Sequence, residues 1–338
     1  MDALSDVLKT VRLTGAIFFD CSAQAPWVAE QPPREMILAK VLPGAEHLIA
    51  YHLVMEGGCY ASIIGGEPMR VEAGELLVFP HGDPHVLSSS PGMRVDPSAP
   101  GSFNAAEDGQ MPLIVNYGSD AAAEAKFICG YLACDARPFN PLIESLPKVI
   151  KIGWQGGETG WLGEFARVAK VESTSKRRGG ESVLAKLSEL MFIEVLRRYL
   201  EDLPPERAGW LAGLRDPFVG KALALMHERP TQNWTIEELA RESGASRSVL
   251  AERFTNLVGI PPMQYLARWR MQIAWGLLRG GSNIASVAAE TGYGSEAAFS
   301  RAFKKAVGVS PSAWRRGDAV IPGRAQREPG IHNHKPIE

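Results

Sequence analysis

Cysteine is scarce in this chain: four residues in 338, Cys21, Cys59, Cys129 and Cys134, no two of them in C-x-x-C spacing. No local metal-ligand motif is therefore written in them. Long hydrophobic runs are missing too. The longest apolar stretches, such as LIAYHLVM, are far too short to span a bilayer. The N-terminal MDALSDVLKTVRL carries acids early and has no apolar h-region, which argues against a secretory leader. Charge of one sign is lacking as well, since 36 Lys/Arg face 38 Asp/Glu for a net −2. That balance excludes a uniformly basic nucleic-acid protein. These absences predict a cytoplasmic protein with reduced thiols and no membrane partner.

What is present is uneven. The length suits two or three domains. Residues 213–316 hold 14 Lys/Arg and 8 Asp/Glu, a net +6, so the remainder is −8. A basic module joined to an acidic one suits phosphate attraction in one place and a different task in the other.

The basic segment states one pattern twice. Phe254 is followed by Gly259, Pro262 and Tyr265; Phe303 is followed by Gly308, Pro311 and Trp314 at the same spacings. Upstream, Leu239-Ala240 with Gly244 matches Val287-Ala288 with Gly292. Chance rarely reproduces four spacings together. Each copy reads as a helix-turn-helix: a small Ala for close helix approach, a Gly for the turn and an aromatic to close the core. Thr235 with Glu238 three residues on predicts a capping box at the first motif. The recognition helices are expected over about 246–256 and 295–306. MQYLARWRMQIAWGLLRG is expected to bridge them.

The rest divides by pattern. Residues 1–14 read as a short amphipathic helix, with Leu4, Val7, Leu8 and Val11 on one side. From Gly15 to about Pro147 come short apolar runs cut by Gly and Pro: MILAKVLP, HLIAYHLVMEGG, CYASIIGGEP, MRVEAGELLVFPHGDPH and KFICGYLAC. These predict strands of an all-β barrel or sandwich. Residues 88–112 read as a mobile loop and 317–338 as a disordered tail. Residues 159–203 are expected to be helical with a break near Lys176–Gly180. Val183, Leu184, Leu187, Leu190, Met191, Val195 and Leu196 form a broad apolar face in the second helix, suited to barrel packing and to a dimer seam. The predicted class is α+β multidomain: a β-barrel domain over 1–150, a helical dimerisation linker over 151–212, an all-α double helix-turn-helix over 213–316, and the tail.

GYGSEAAFSRAFKKAVGVSPSAWRR, residues 292–316, resembles the double helix-turn-helix domain of AraC/XylS-type transcription regulators. VEAGELLVFPHGDPH, residues 71–85, is similar to the second motif of cupin-type sensor domains, with Gly74 and Pro80-x-Gly82-x-x-His85 in place. Ser89 stands where the cupin motif has Asn. The first cupin motif needs His-x-His followed by Glu, and GCYASIIGG has neither.

The resemblance implies duplex DNA as partner. It points to Arg301, Glu296, Ala297 and Ser295 on the second recognition helix, and to Arg247, Ser248, Ala251 and Glu252 on the first. Arg301 precedes Phe303 by two positions and so faces away from the core, where it suits a base edge or a phosphate; Glu296 suits cytosine N4. The alternative for each is a solvated helix face. Arg253, beside core Phe254, is placed at the edge of the groove.

Cys21, His52, His85 and Cys129 form the most interesting set in the sensor. Two thiols and two imidazoles suit a tetrahedral Zn²⁺. They equally suit a redox pair poised by adjacent His, or plain core. His47 and His81 read as surface residues, and nothing suggests that His332 and His334 act.

Two functions are compatible with these features. The first is a sequence-specific transcription regulator, not an enzyme, requiring no cofactor. Its barrel senses a small molecule, a metal or an oxidant. Its other partners are RNA polymerase and a second copy of the chain in a homodimer. The second is a metal-dependent cupin enzyme with an accessory DNA-binding domain, against which the missing His-x-His counts.

Overall fold

The computed structural model describes residues 2–41, 44–97, 113–118, 123–153, 160–175, 177–204 and 208–316. The expected tail and most of the expected loop at 88–112 lie outside them. The strands, in chain order, are β1 (Thr14–Ala23), β2 (Val28–Glu30), β3 (His47–Glu56), β4 (Gly58–Ile63), β5 (Met69–Glu72), β6 (Glu75–Phe79), β7 (His85–Ser88), β8 (Leu113–Tyr117), β9 (Ala125–Cys134) and β10 (Ile150–Gly153). Among the described residues, six make one sheet in the order β10-β6-β3-β9-β1-β8 and four make a second in the order β2-β7-β4-β5.

The run HLIAYHLVME shows little alternation because both faces of β3 are covered. Leu48, Ala50 and Val54 join the core between the sheets, with Phe19, Phe79, Leu87 and Phe127. Ile49, Tyr51 and Leu53 belong to a second core shared with helices. β9 divides in the same way. Cys129 and Tyr131 lie in the inter-sheet core, while Ile128, Leu132 and Cys134 lie in the other. Cys134, five positions from Cys129, is on the opposite face, as the period of two requires.

One apolar run expected as a strand is helical instead. MILAKVLP contributes to α2 (Arg34–Val41), not to a sheet. α2 follows Pro32-Pro33 directly, and its sequence REMILAKV includes Arg, Glu, Met, Leu, Ala and Lys, residues that lose little freedom in a helix.

The remaining helices are α1 (Ala3–Thr10), α3 (Pro141–Ser145), α4 (Trp161–Ser175), α5 (Gly180–Glu201), α6 (Trp210–Arg215), α7 (Val219–Glu228), α8 (Ile236–Ser243), α9 (Arg247–Val258), α10 (Pro262–Arg279), α11 (Ile284–Glu290), α12 (Glu296–Val307) and α13 (Pro311–Arg315). The break between α4 and α5 falls where expected. α5 lies so close on β1 that a Cβ on Gly15 would sit 2.2 Å from the carbonyl oxygen of Ala185. Its apolar face splits. Leu184, Met191, Val195 and Leu196 are buried and Leu187 packs against the same core, while Val183 and Leu190 stay 41% and 53% exposed.

The cores do not respect the motif boundaries. One runs from Ala3 through the outer face of the large sheet, α4 and α5 to Leu239, Phe254 and Trp269 of the first helix-turn-helix. The second motif has its own core of Met271, Trp275, Val287, Phe299 and Phe303.

Candidate nucleic-acid interface and sensor cavity

The repeated residues occupy equivalent places. Gly244 caps α8 with φ +82°, and Gly292 lies just past α11 with φ +75°. Ser246 and Ser295 are the N-caps of α9 and α12, and each hydroxyl accepts from a backbone N–H three residues on, Val249 and Ala298. Gly259 and Gly308 end those helices at φ +81° and +93°. Thr235 and Glu238 form the predicted capping box. Phe254 and Phe303 are fully buried.

The spacing that buries the phenylalanines turns the opposite faces outward. Arg247, Ser248 and Glu252 on α9, and Glu296, Ala297 and Arg301 on α12 with its N-cap Ser295, are exposed; Ala251 is half-buried. Arg301 makes no ion pair among the described residues, whereas Arg247 Nε lies 3.1 Å from the Glu237 carboxylate. Arg253 is held by Asp216, 3.0 Å from its Nε, and its guanidinium stands over Phe218. Exposed Val249, and Lys304 and Lys305 near the end of α12, share these faces and were not singled out from sequence.

In the sheet-rich half, the predicted glycine turns place His85. Gly74 has φ +87° and Gly82 φ +64°, and a Cβ on Gly82 would meet the Leu48 carbonyl oxygen at 2.8 Å. β7 then carries His85 inward, 1% exposed. Cys21, His52, His85 and Cys129 all line one cavity of about 230 Å³ between the sheets. Trp27, Gln31, Tyr117, Phe127 and Tyr131, which sequence reasoning did not pick out, line it too.

The four predicted residues meet as two pairs. His52 and His85 approach Nε2 to Nε2 at 2.6 Å. Cys21 and Cys129 are neighbours across β1 and β9, where Phe19 stands opposite Cys129 and Cys21 opposite Phe127. No three His, Cys, Asp or Glu side chains among the described residues group as metal ligands. The tetrahedral Zn²⁺ set is thus not assembled: the imidazole nitrogens that meet are spent on each other. Burial pushes the Cys129 thiol well up, helped by Cys21 beside it, and pushes the His85 imidazole down to about 4. His52 is lowered well below its ordinary value by burial and by His85.

His47 is corrected. It is buried, not on the surface, with Nε2 donating to the Pro80 carbonyl at 2.6 Å, and burial lowers it to about 4. His81 is half-buried and bonds the Leu146 carbonyl at 2.9 Å.

A cupin family model matches residues 2–201, and a helix-turn-helix domain model matches residues 239–317. A protein of Streptomyces antibioticus described as an AraC-like transcription regulator is 32% identical over 320 residues, 94% of this chain and 99% of that one. This chain belongs to the AraC-type transcription regulators. The HTH-type transcriptional regulator AlkR of Acinetobacter baylyi is 27% identical over 320 residues, again 94% and 99%. Among solved structures, the DNA-binding domain of AdpA in complex with a target DNA is 30% identical, covering 30% of this chain and 92% of that one at a TM-score of 0.29. As an AraC-type protein, the chain is a DNA-binding regulator with a cupin-like N-terminal domain. No helix among the described residues is long and apolar enough to cross a membrane.

In this AraC-type chain, polar latches join the cupin-like half to α10, the helix that belongs to both DNA-binding motifs. Tyr265 meets His227 Nε2 at 2.8 Å and accepts from Trp210 Nε1 at 2.8 Å, and His227 Nδ1 lies 2.8 Å from Asp6 of α1. The Phe139 backbone donates to Gln272 at 3.0 Å. Arg279 reaches Asp135, just past β9, at 3.0 Å and Glu46 at 3.3 Å. Asp135 is also held by Arg12 at 2.8 Å.

Proposed function

We propose that this regulator is effector-responsive, with the inter-sheet cavity as the effector site and the two recognition helices as the DNA readers. The observation that carries this reading is the path of β9. Cys129 and Tyr131 of that strand line the cavity, and Asp135, at its end, grips Arg279 of α10. A molecule that displaces β9 therefore acts on the helix that sets the two motifs apart. This displacement is local, and the packed cores on either side make it discrete rather than graded.

On the DNA side, Arg301 acts as base reader or phosphate clamp on α12, flanked by Ser295, Glu296 and Ala297. Arg247, Ser248, Ala251 and Glu252 meet the neighbouring groove segment from α9. The exposed stripe of Val183 and Leu190 on α5 supplies a homodimer seam, and the dimer places four motifs on one promoter, where RNA polymerase is engaged. An oxidant is a weaker effector than a small molecule here, because the buried Cys129 thiol, held protonated, is a poor nucleophile.

The test is an operator titration by fluorescence anisotropy with the wild-type chain and with Ala29→Trp, which fills the cavity from β2. If the cavity controls DNA presentation, the filled variant has an altered operator affinity with an unchanged far-ultraviolet spectrum. An unaltered affinity in the folded variant removes the cavity from the mechanism.

A further inference from the structure

We infer that the cavity takes an uncharged, flat aromatic molecule bearing a hydrogen-bond donor and acceptor in one plane, the chemistry of an aromatic carboxamide. This rests on reading the cavity as the effector site and adds the class of molecule it selects.

Proton positions decide what the cavity wall offers. His85 Nδ1 lies 2.9 Å from the Asp83 carbonyl oxygen. A carbonyl only accepts, so Nδ1 carries the hydrogen, and Nε2 of a neutral ring is left as a lone pair. His52 Nε2, 2.6 Å away, must then be the donor. That assignment leaves His52 Nδ1 as a bare acceptor, and it is buried with no hydrogen-bond partner among the described residues. Burial keeps both rings neutral, His85 at about 4 and His52 below its ordinary value. The pair thus ends in one unmet acceptor on a residue of the cavity wall.

Gln31 adds the second half. It lines the same cavity beside His85, whose carbonyl accepts from its backbone N–H at 2.8 Å. Its carboxamide is buried, and neither the oxygen nor the nitrogen has a partner among the described residues. Buried polar atoms are ordinarily bonded, so three orphans on two wall residues mark a place for a ligand rather than for packing. A carboxamide matches all three. It carries the complement of each, an acceptor for Gln31 Nε2 and two donors for Gln31 Oε1 and His52 Nδ1.

Charge is excluded by the same wall. Glu30 carries its one fixed charge, and Arg94 neutralises it with two bonds of 2.7 Å. A carboxylate or an ammonium in the cavity would lose its water without a counter-ion. The rest of the wall is aromatic. Trp27 lies 5.3 Å from Phe127 and 6.0 Å from Tyr117, and Phe19 meets Tyr131 edge-on at 5.7 Å. At about 230 Å³ the cavity is below the range of drug-sized sites, which suits a single ring with one polar head.

Three probes of one shape and different charge test this: benzamide, benzoate and benzylamine, each titrated calorimetrically into the full-length protein. Benzamide is expected to bind at least about tenfold more tightly than either ion, and Gln31→Leu to lose about tenfold of that affinity while the ions are little changed. If Gln31→Leu does not fold, the Gln31 side-chain amide resonances of the wild-type protein serve instead, and they shift on adding benzamide. Benzoate or benzylamine binding as tightly as benzamide overturns the proposal, as does the absence of saturable benzamide binding. Ala29→Trp separates this failure from that of the underlying reading. If an ion binds and Ala29→Trp abolishes it, the cavity stands as the effector site with another class of ligand. If Ala29→Trp changes neither probe binding nor operator affinity, the cavity reading falls with it.

Discussion

Asp6, in the first helix of the chain, accepts a hydrogen bond from Nδ1 of His227, 221 residues later and beneath the first helix-turn-helix, at 2.8 Å. The proton assignment is fixed by chemistry: a carboxylate only accepts, so Nδ1 carries the hydrogen and Nε2 accepts from the Tyr265 hydroxyl at 2.8 Å. His227 is buried and its imidazole is lowered by that burial, against the pull of Asp6. The cupin-like half and the first motif are therefore joined through one core.

Removing that acceptor is expected to weaken both together. Asp6→Ala leaves a buried N–H unmet, at about 1–3 kcal/mol. Urea unfolding monitored separately by tryptophan fluorescence and by circular dichroism should show one shifted, coincident transition. A shift in one probe alone would mean that the two halves unfold independently.

The two turn glycines are expected to differ. Gly244→Ala meets no neighbouring atom within 4 Å and bears only the left-handed backbone penalty, about 1–2 kcal/mol. Gly292→Ala has the same penalty, and its Cβ would also lie 2.7 Å from the Thr231 carbonyl oxygen. Thermal melts should rank Gly292→Ala clearly below Gly244→Ala, and equal melting temperatures would contradict the close approach.

Arg301→Ala is expected to weaken operator binding by about 1–3 kcal/mol and to relax preference at one base position if the guanidinium makes a bidentate contact. A uniform loss on every sequence, with a salt slope shallower by about 0.9, would make it a phosphate contact. Binding to a panel of single-base operator variants at two salt concentrations distinguishes them.

The linker helix offers a matched pair. Leu190→Glu changes an exposed position, and Leu187→Glu changes one packed against the core. Sedimentation should show Leu190→Glu as a folded monomer and the wild type as a dimer, whereas Leu187→Glu should lose stability first, since an unpaired charge is costly in a core. A wild-type monomer both free and on DNA would rule out the seam.

Acid should destabilise the sensor. His47 and His85 have folded values of about 4, below the ordinary 6.5, so the unfolded chain takes up the proton first as pH falls. Their contribution is complete above pH 6.5 and is lost on the way down to about 4, by at most roughly 1.4 kcal/mol per pH unit for each histidine. His47→Gln, which retains a donor for the Pro80 carbonyl, should make the fall in unfolding free energy between pH 7 and 5 shallower. An unchanged slope would show that His47 does not contribute.

The DNA-binding half was legible in the sequence because its rules are local. The Thr235–Glu238 cap, glycines at fixed offsets and an aromatic every 49 residues act within a few turns of helix. The sensor was legible only where a turn fixes a side chain, as at Gly82 and His85. Gln31 escaped notice because an isolated glutamine after a short strand carries no pattern, and its significance lies in atoms left unbonded by residues from distant strands. His47 was misplaced for a related reason: its partner, the Pro80 carbonyl, is a backbone atom that no side-chain pattern announces. Strand parity brought Cys21, His52, His85 and Cys129 to one cavity, but parity does not fix which nitrogen faces which.

α10 contributes Tyr265, Leu266 and Trp269 to the core shared with the sensor, and Met271, Ala274, Trp275 and Leu278 to the core of the second motif. Its length is consequently an angular setting. Each residue of a helix rotates the next by about 100° and advances it about 1.5 Å. One residue added to α10 would turn the core of the second motif, and α12 with it, by about that angle relative to the core that holds α9, so the number of residues in α10 sets how the two motifs face each other.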